Sequence, residues 1–390
     1  MILISFAILV YVAWRLNPLA FKLSPVAIFL VCFYSYTKRF TTYAHLFLGL
    51  AIGSAPVASW IAVTGEISLV SLFFGLSVLT WIAGFDIVYA NEYDKSIADA
   101  YKKNHPDTIV DSTDIKDIDF EKVFKKFENK IAVVVGGPPC QGFSQKGKRI
   151  GLNDERNFMF QRFVNVVKIV KPDFFVLENV PNILSSENGY FKEEIIKMFG
   201  KLGYDVKAKI LKAENFGVPQ TRRRAVFLGK KGKLNFELPE GNNKKTTVTE
   251  ALDDLPILKS GEGKAEQKYR TKPSNTFQKK IRGKSRIVQN HIATNHNKIA
   301  LERLSFISIN GTKNDLPKHH RTKSIHSGTW SRLKPDGFAR TITTRFDTPS
   351  SGQFTLPYQD RCLTVREAAR LQSFPDDFIF YGTTSSQMLQ

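Results

Sequence analysis

Residues 131–144 read IAVVVGGPPCQGFS, and this stretch decides the fold class. Its first five residues are apolar and mostly β-branched, which predicts a buried β-strand. Two glycines and two prolines follow, so the chain turns sharply where the strand ends. Cys140 comes directly after this turn, at the edge where a parallel sheet binds its ligands. The stretch therefore predicts an α/β fold with a candidate nucleophile, and a merely buried cysteine remains the alternative.

The segments around this stretch alternate between strand and helix patterns. We predict strands at 85–90 (FDIVYA), 174–177 (FFVL) and 225–229 (AVFLG), and helices at 96–103, 158–170, 190–202 and 364–373. Such alternation is typical of a parallel sheet covered by helices, and it predicts ligand-binding loops after the strands. Residues 230–330 differ, because they are rich in Lys, Asn, Thr and Gly. Their basic clusters KKIRGKSR and HHRTK favour a smaller nucleic-acid-binding domain over a solvated linker.

The residue counts of the whole chain restrict its partners. The 390 residues carry a formal net charge of +20, which favours a nucleic acid or an anionic membrane surface as partner. The three cysteines, Cys32, Cys140 and Cys362, are far apart and form no CxxC pair. We therefore expect no metal site, no disulfide framework and a reducing compartment.

The first 90 residues differ in charge from the rest of the chain. Residues 41–65 and 67–85 contain no Asp, Glu, Lys or Arg, and each is long enough to span a bilayer as a helix of about 20 residues. Shorter apolar runs lie at 2–14 and 24–37. We predict four membrane helices. A single cleaved signal peptide does not account for apolar segments that recur up to residue 85.

Two further motifs lie beside predicted strands. Glu178-Asn179-Val180 follows FFVL, where a carboxylate can reach Cys140 across the sheet, although a helix-capping or solvated glutamate is equally compatible with these residues. Residues 220–224 (QTRRR) precede AVFLG. Because alternate residues of an extended segment face the same way, Arg222 and Arg224 should point together, unless the segment is only a solvated basic edge.

In this order and spacing, the motifs resemble those of the DNA (cytosine-5)-methyltransferases. GGPPCQGFS resembles the nucleophile motif of the family, ENV its glutamate motif and QTRRR its Q-x-R-x-R motif. The family-like part extends over about residues 85–390. Its other segments are NEYD at 91–94, DI at 114–115, SRL at 331–333, TITT at 341–344 and RCLTVREAARLQSFP at 361–375.

The resemblance implies a Rossmann-like, S-adenosylmethionine-dependent methyltransferase sheet with a small target recognition domain. The catalytic domain would occupy 87–229 and 341–390, and the recognition domain 230–340. The implied activity transfers a methyl group to carbon 5 of cytosine in a specific DNA sequence, as in restriction-modification systems. The implied substrate is double-stranded DNA with the target cytosine flipped out of the helix. We also expect a cytoplasmic catalytic domain, a monomer and a cognate restriction endonuclease.

The resemblance also assigns roles to residues. Cys140 would add as a thiolate to carbon 6 of cytosine, which activates carbon 5. Glu178 would protonate or hydrogen-bond nitrogen 3, while Arg222 and Arg224 would hold the carbonyl oxygen. On the cofactor, Glu92 would bind the ribose hydroxyls, Tyr93 would pack on the adenine and Asp114 would accept from its amino group. The remaining implied contacts are Ile115 and Pro138 on the cofactor side, and Gln141, Ser144 and Gln220 on the DNA side.

Two family features are absent from the sequence. The F-x-G-x-G loop that cradles the methionine end of the cofactor should follow LVSLFFG at 69–75, but residues 76–82 read LSVLTWI. Leu76 and Val78 are too bulky for a close backbone approach. A last motif near G-N-A-V-P-P is expected after Gln387 and is also missing. A DNA-binding protein with impaired methyl transfer is therefore the alternative function.

The N-terminal residues 1–86 resemble a different family, the 4-hydroxybenzoate-type polyprenyltransferases of membranes. The similarity lies in FYSYTKRF at 33–40, WIAVTGEISL at 60–69 and GLSVLTWIAGFDI at 75–87. Neither aspartate-rich diphosphate motif of that family is present, so prenyl transfer is not expected. We predict that this fragment is fused to the methyltransferase part and attaches it to a membrane.

The nucleophile motif yields a direct prediction. Cys140→Ser should abolish the covalent complex that forms with duplex DNA containing 5-fluorocytosine in the presence of S-adenosylmethionine, while DNA binding stays nearly intact, because a hydroxyl cannot replace the thiolate. The complex is measured by denaturing gel electrophoresis, and Cys32→Ser is the control. Persistent trapping by the Cys140→Ser variant would remove Cys140 from the nucleophile role.

Overall fold

A computed structural model describes residues 2–37, 86–138, 159–235, 237–241, 245–323 and 328–390. Cys140, Gln141 and Ser144 lie outside the described residues, as do the segments 41–65 and 67–85. The chain divides into two compact units, Met1–Val88 and Tyr89–Gln390. The candidate site residues that the structure describes all belong to the second unit.

In the residues of the first unit that the structure describes, the helices are α1 (Ile2–Leu16) and α2 (Pro18–Thr37). In the part of the chain that the structure describes, no helix is long and apolar enough to cross a membrane. α1 has 15 residues, about 22 Å, which is shorter than a hydrocarbon core of about 30 Å. α2 includes Lys22, Ser24 and Pro25, which interrupt its apolar character. The membrane helices predicted at 2–14 and 24–37 are therefore not supported.

The second unit contains short strands and helices in alternation. The strands are β1 (Tyr89–Asn91), β2 (Ile109–Asp111), β3 (Val133–Gly136), β4 (Phe174–Asn179), β5 (Tyr204–Lys212), β6 (Gln220–Thr221), β7 (Arg223–Lys231), β8 (Gly263–Lys268), β9 (Ile287–Ile292) and β10 (Ala339–Arg340). The helices are α3 (Lys95–Asn104), α4 (Phe120–Phe124), α5 (Phe160–Val170), α6 (Tyr190–Lys201), α7 (Val248–Leu252), α8 (Thr276–Arg282), α9 (Lys298–Phe306), α10 (Val365–Leu371) and α11 (Thr384–Leu389).

The central sheet has four strands in the order β3-β4-β7-β5. β3 and β4 are parallel, as the sequence predicts, but β7 is antiparallel to both β4 and β5. The prediction of an entirely parallel sheet is therefore wrong at β7. The reason lies between Lys212 and Arg223, where no α-helix forms, so the chain makes no crossover and returns beside β5 in the opposite direction.

Aromatic side chains pack helices α5 and α6 onto this sheet. The apolar residues of α5 recur every three or four positions, which gives the helix one buried face. Phe175 of β4 stacks on Phe199 of α6 with ring centroids 3.8 Å apart, and Phe163 of α5 meets both rings edge-on. This packing fixes β4, whose last residues belong to the ENV motif.

A second, two-stranded sheet carries the predicted cofactor loops. β1 and β2 are parallel and pair Tyr89 with Ile109 and Asn91 with Asp111. Asp94 caps α3, because its carboxylate accepts from the backbone N–H groups of Ser96 and Ile97. Because β1 and β2 are parallel, the loops that follow them begin at the same edge of this sheet, at the carboxyl ends of the strands.

The C-terminal part of the second unit has its own core around α10, all seven residues of which are buried. Arg361, Arg366 and Arg370 lie in this interior, each paired with a carboxylate. Arg361 forms a two-bond ion pair with Glu367, with both nitrogen–oxygen distances 2.8 Å. Arg370 pairs with Asp254 and with both oxygens of Asp376. Such pairs satisfy buried charges that would otherwise strongly destabilise the fold.

The predicted domain boundaries at 229/230 and 340/341 remain predictions, because Tyr89–Gln390 forms a single compact unit by contact. The core around α10 includes Val248 and Ala251 of α7 and Leu333, Ala339 and Ile342. Residues predicted for the recognition domain and residues predicted for the returning catalytic domain therefore share one hydrophobic core.

The buried ion pairs predict a large stability effect. Asp254→Asn should lower the free energy of unfolding by about 3–5 kcal/mol, because Arg370 stays buried with less compensating charge. Urea denaturation followed by circular dichroism measures the change. The control is Glu240→Gln, which removes the exposed ion pair with Lys209 and should leave the midpoint nearly unchanged. Equal midpoints for both variants would contradict a structural role for the Asp254–Arg370 pair.

Candidate active site at the end of strand β4

The register of β4 against β7 brings the ENV and QTRRR motifs together. Glu178 lies opposite Val226, so the residues at the start of β7 reach the end of β4. Nε of Arg224 is 2.6 Å from Oε1 of Glu178, and Nη2 of Arg222 is 3.9 Å from the same oxygen. Arg222 and Arg224 therefore point together, as alternate residues of an extended segment should.

These three side chains form a charged group that solvent can reach. Their exposed fractions are 41% for Glu178, 33% for Arg222 and 23% for Arg224. Burial lowers the pKa of Arg222, and the neighbouring Arg224 lowers it further, while Glu178 opposes the shift. Two cations that share one carboxylate leave positive charge available for an anionic or electron-rich ligand.

Gly137, three residues before Cys140 in the chain, lies beside the same carboxylate. A Cβ atom added to Gly137 would lie 3.3 Å from Oε2 of Glu178, so glycine permits this close approach. Asn179 is buried, and its Nδ2 donates to the carbonyl oxygen of Pro138 at 2.9 Å. The sequence did not single out Asn179 or predict this contact. The ENV motif therefore holds the first residues of the GGPPC turn.

The remaining residue of the QTRRR motif, Gln220, is fully buried. Among the described residues, neither atom of its side-chain amide has a hydrogen-bond partner. The carbonyl oxygen of the next residue, Thr221, accepts from the hydroxyl of Thr341, and β6 pairs with β10. The TITT segment thus supports the arginine-bearing strand. In this arrangement Gln220 has no surface open to DNA, unlike the direct contact predicted from the sequence.

The predicted cofactor residues lie on the loops after β1 and β2. Oε1 of Glu92 accepts from the backbone N–H of Asp94 at 3.0 Å, and Oδ1 of Asp114 accepts from that of Lys116, also at 3.0 Å. Each carboxylate therefore keeps a second oxygen for a ligand. The side chain of Tyr93 is 71% exposed, whereas Ile115 packs against the cluster that includes Phe124.

The two carboxylates and the exposed ring fit the adenosine half of S-adenosylmethionine. Two carboxylates can accept from ribose hydroxyls and from an amino group, and an exposed aromatic ring can stack on a purine. Residues 76–78, opposite the methionine half in the family, lie outside the described residues. In the described ranges, no three His, Cys, Asp or Glu side chains cluster so as to hold a metal ion.

The family comparisons match two parts of the chain. The model of the C-5 cytosine-specific DNA methylase family matches residues 67–390. The model of the UbiA prenyltransferase family matches residues 1–103, in agreement with the prenyltransferase-like sequence of the N-terminal fragment. The two matches overlap at residues 67–103.

Several curated relatives are similar over most of their length. Type II methyltransferase M1.HphI of Haemophilus parahaemolyticus is 36% identical over 314 residues, which cover 79% of this chain and 77% of the relative. Type II methyltransferase M.DdeI of Desulfomicrobium norvegicum is 34% identical over 319 residues, covering 77% and 76%. A putative DNA modification methyltransferase encoded within an Escherichia coli prophage has a crystal structure that is 26% identical, with a TM-score of 0.63, over 87% of this chain and 90% of that one.

Because Arg224 contacts Glu178 and Arg223 does not, substitutions of these two neighbouring arginines should have different effects. Arg224→Gln should slow covalent complex formation with 5-fluorocytosine DNA by about 100-fold or more, a typical loss when one charge-stabilising donor is removed. Arg223→Gln is the matched control, because that side chain is exposed and points away from Glu178. The Arg223→Gln variant should form the covalent complex at a rate within about threefold of that of the unsubstituted protein. Similar rates for the two variants, measured by quenched-flow gel analysis, would contradict the assigned geometry.

Proposed function

Because the chain belongs to the C-5 cytosine-specific DNA methylase family, we propose that Glu178, Arg222 and Arg224 form, with Cys140, the site at which it activates cytosine. The protein is a DNA (cytosine-5)-methyltransferase that uses S-adenosylmethionine as its methyl donor. The observation that carries the site assignment is the contact of both arginines with Glu178 beside the GGPPC turn.

The first step is addition of the Cys140 thiolate to carbon 6 of the flipped cytosine. Cytosine is a poor nucleophile at carbon 5, and this addition converts the ring to an enamine that can attack a methyl group. Cys140 follows Pro138 by two residues, so covalent geometry alone keeps their Cα atoms within about 7 Å. Asn179, the residue next to Glu178, holds the carbonyl of Pro138 two residues before the nucleophile in the chain.

The addition moves electrons into the ring, where Glu178 and the arginines act. Glu178 would hydrogen-bond or protonate nitrogen 3, which takes up the electron pair that the thiolate displaces. Arg224, with Arg222, would hold the carbonyl oxygen on which charge develops. Arg224 contacts Glu178 directly, so the entering base would insert between the carboxylate and the guanidinium. Bound S-adenosylmethionine would supply the methyl group and leave as S-adenosylhomocysteine. Loss of the carbon-5 proton to water would then return the electron pair that expels the Cys140 thiolate.

Recognition of DNA is proposed for residues 230–340. Lys and Arg side chains of this region would neutralise phosphates and position the duplex, whereas contacts with base edges would specify its sequence. The type II methyltransferases among the relatives favour a restriction-modification role with a cognate endonuclease. A monomer and a cytoplasmic catalytic domain belong to the same proposal. Membrane attachment through residues 1–86 rests on the UbiA match and on the uncharged segments 41–65 and 67–85 of the sequence.

The alternative, a DNA-binding protein with impaired transfer, is favoured by one observation. Leu76 and Val78 stand where the family has a glycine-rich loop. Weaker binding of the methionine half would lower methyl transfer without affecting cytosine activation.

The proposed function is tested by expressing the chain in a host that lacks cytosine methylation. Bisulfite sequencing of host DNA should reveal protected cytosines within one short recurring sequence, because a single recognition region selects the site. Cys140→Ser and Glu178→Gln should leave no protected cytosine, and Glu187→Gln, at an exposed glutamate outside the site, is the control. Specific DNA binding without any protected cytosine would favour the impaired alternative instead.

A further inference from the structure

The side chain of Asn91 connects the two loops that carry the predicted cofactor residues. Asn91 is the last residue of β1, opposite Asp111 in the register of the pair. Its Nδ2 donates to the carbonyl oxygen of Asp111 at 3.0 Å and to that of Thr113 at 2.8 Å. Both hydrogens of the amide are therefore used to join the end of β1 to the loop after β2.

The two joined segments lead directly to the two carboxylates. Glu92 follows Asn91 in the chain, and Asp114 follows Thr113. The backbone N–H of Glu92 also donates to the carbonyl of Asp111 at 3.0 Å, so that this oxygen accepts from two consecutive residues at the end of β1. The strand pairing itself ends at Asp111. Beyond that point, in the described part of the chain, the contact from Asn91 to Thr113 is the hydrogen bond that fixes the second loop against β1.

We propose that Asn91 is a positioning residue that sets the distance between Glu92 and Asp114 and so prepares the site for the adenosine half of the cofactor. This inference rests on the proposed cofactor roles of Glu92 and Asp114. A ligand that spans two loops binds well only if the loops are already held at the right separation, because ordering them on binding costs free energy. Asn91 does not touch the ligand and acts through its two carbonyl partners.

The substitution Asn91→Asp tests this role, because it keeps the size of the side chain and removes both donors. We expect the dissociation constant for S-adenosylhomocysteine, measured by equilibrium dialysis with tritiated ligand, to rise about tenfold. The dissociation constant for duplex DNA, measured by gel shift, should not change. Asn91→Ala is the second variant, because it removes the donors without adding a negative charge beside Asp111 and Glu92.

Asn104 offers a matched control for purely structural effects. Its Nδ2 also donates to two carbonyl oxygens, those of Ala100 and Ile379, both at 2.8 Å. Asn104→Asp should lower the melting temperature, because two hydrogen bonds to backbone carbonyls are lost. It should leave the affinity for S-adenosylhomocysteine unchanged. Equal losses of ligand affinity for Asn91→Asp and Asn104→Asp would show a merely structural role and overturn the proposal.

Further variants separate this inference from the proposed function. If Glu92→Ala and Asp114→Ala weaken ligand binding but Asn91→Asp and Asn91→Ala do not, the positioning role is wrong and the cofactor site stands. If Glu92→Ala and Asp114→Ala retain full affinity, the cofactor roles themselves are wrong, and the positioning role falls with them. No binding by the unsubstituted protein at millimolar ligand would overturn both.

Discussion

The antiparallel register between β4 and β7 is the constraint on which the candidate site depends. It sets Glu178 opposite Val226 and thereby brings Arg224 against the carboxylate from the neighbouring strand. A slip of one residue would turn the alternating side chains of β7 to the other face and bury the arginines where Phe227 now packs. The hydrophobic face of β7 therefore specifies the position of Arg224 at the start of the strand and of Arg222 just before it.

Much of the site could be predicted from the sequence, because its motifs consist of contiguous residues that follow recognisable strands. Strand β3 with its glycine turn and strand β4 with Glu178 lie within a few residues of their predicted positions. The direction of β7 could not be predicted from periodicity, since a strand has the same alternation in either direction. The burial of Gln220 and the amide contacts of Asn91 and Asn179 depend on distant partners, which a linear pattern does not contain.

Arginine has two different roles in the second unit, and residue type alone does not separate them. Arg361, Arg366 and Arg370 are fully buried and bind carboxylates or backbone carbonyls, so their charge stabilises the core around α10. Arg222 and Arg224 remain partly exposed and share one carboxylate. Arg222 and Arg224 are only partly neutralised by this carboxylate, so they can bind a ligand. The buried arginines have all of their charge paired within the protein and cannot.

We infer that the cytosine-activating half of the site is assembled independently of the cofactor. This inference is tested by measuring the release of tritium from duplex DNA that carries cytosine labelled at carbon 5, with no cofactor added. Reversible addition of the thiolate lets carbon 5 take up a proton from water and then lose its tritium when the thiolate leaves. We expect tritium release well above that of the duplex alone. DNA that is bound specifically and yet retains all of its tritium would contradict it.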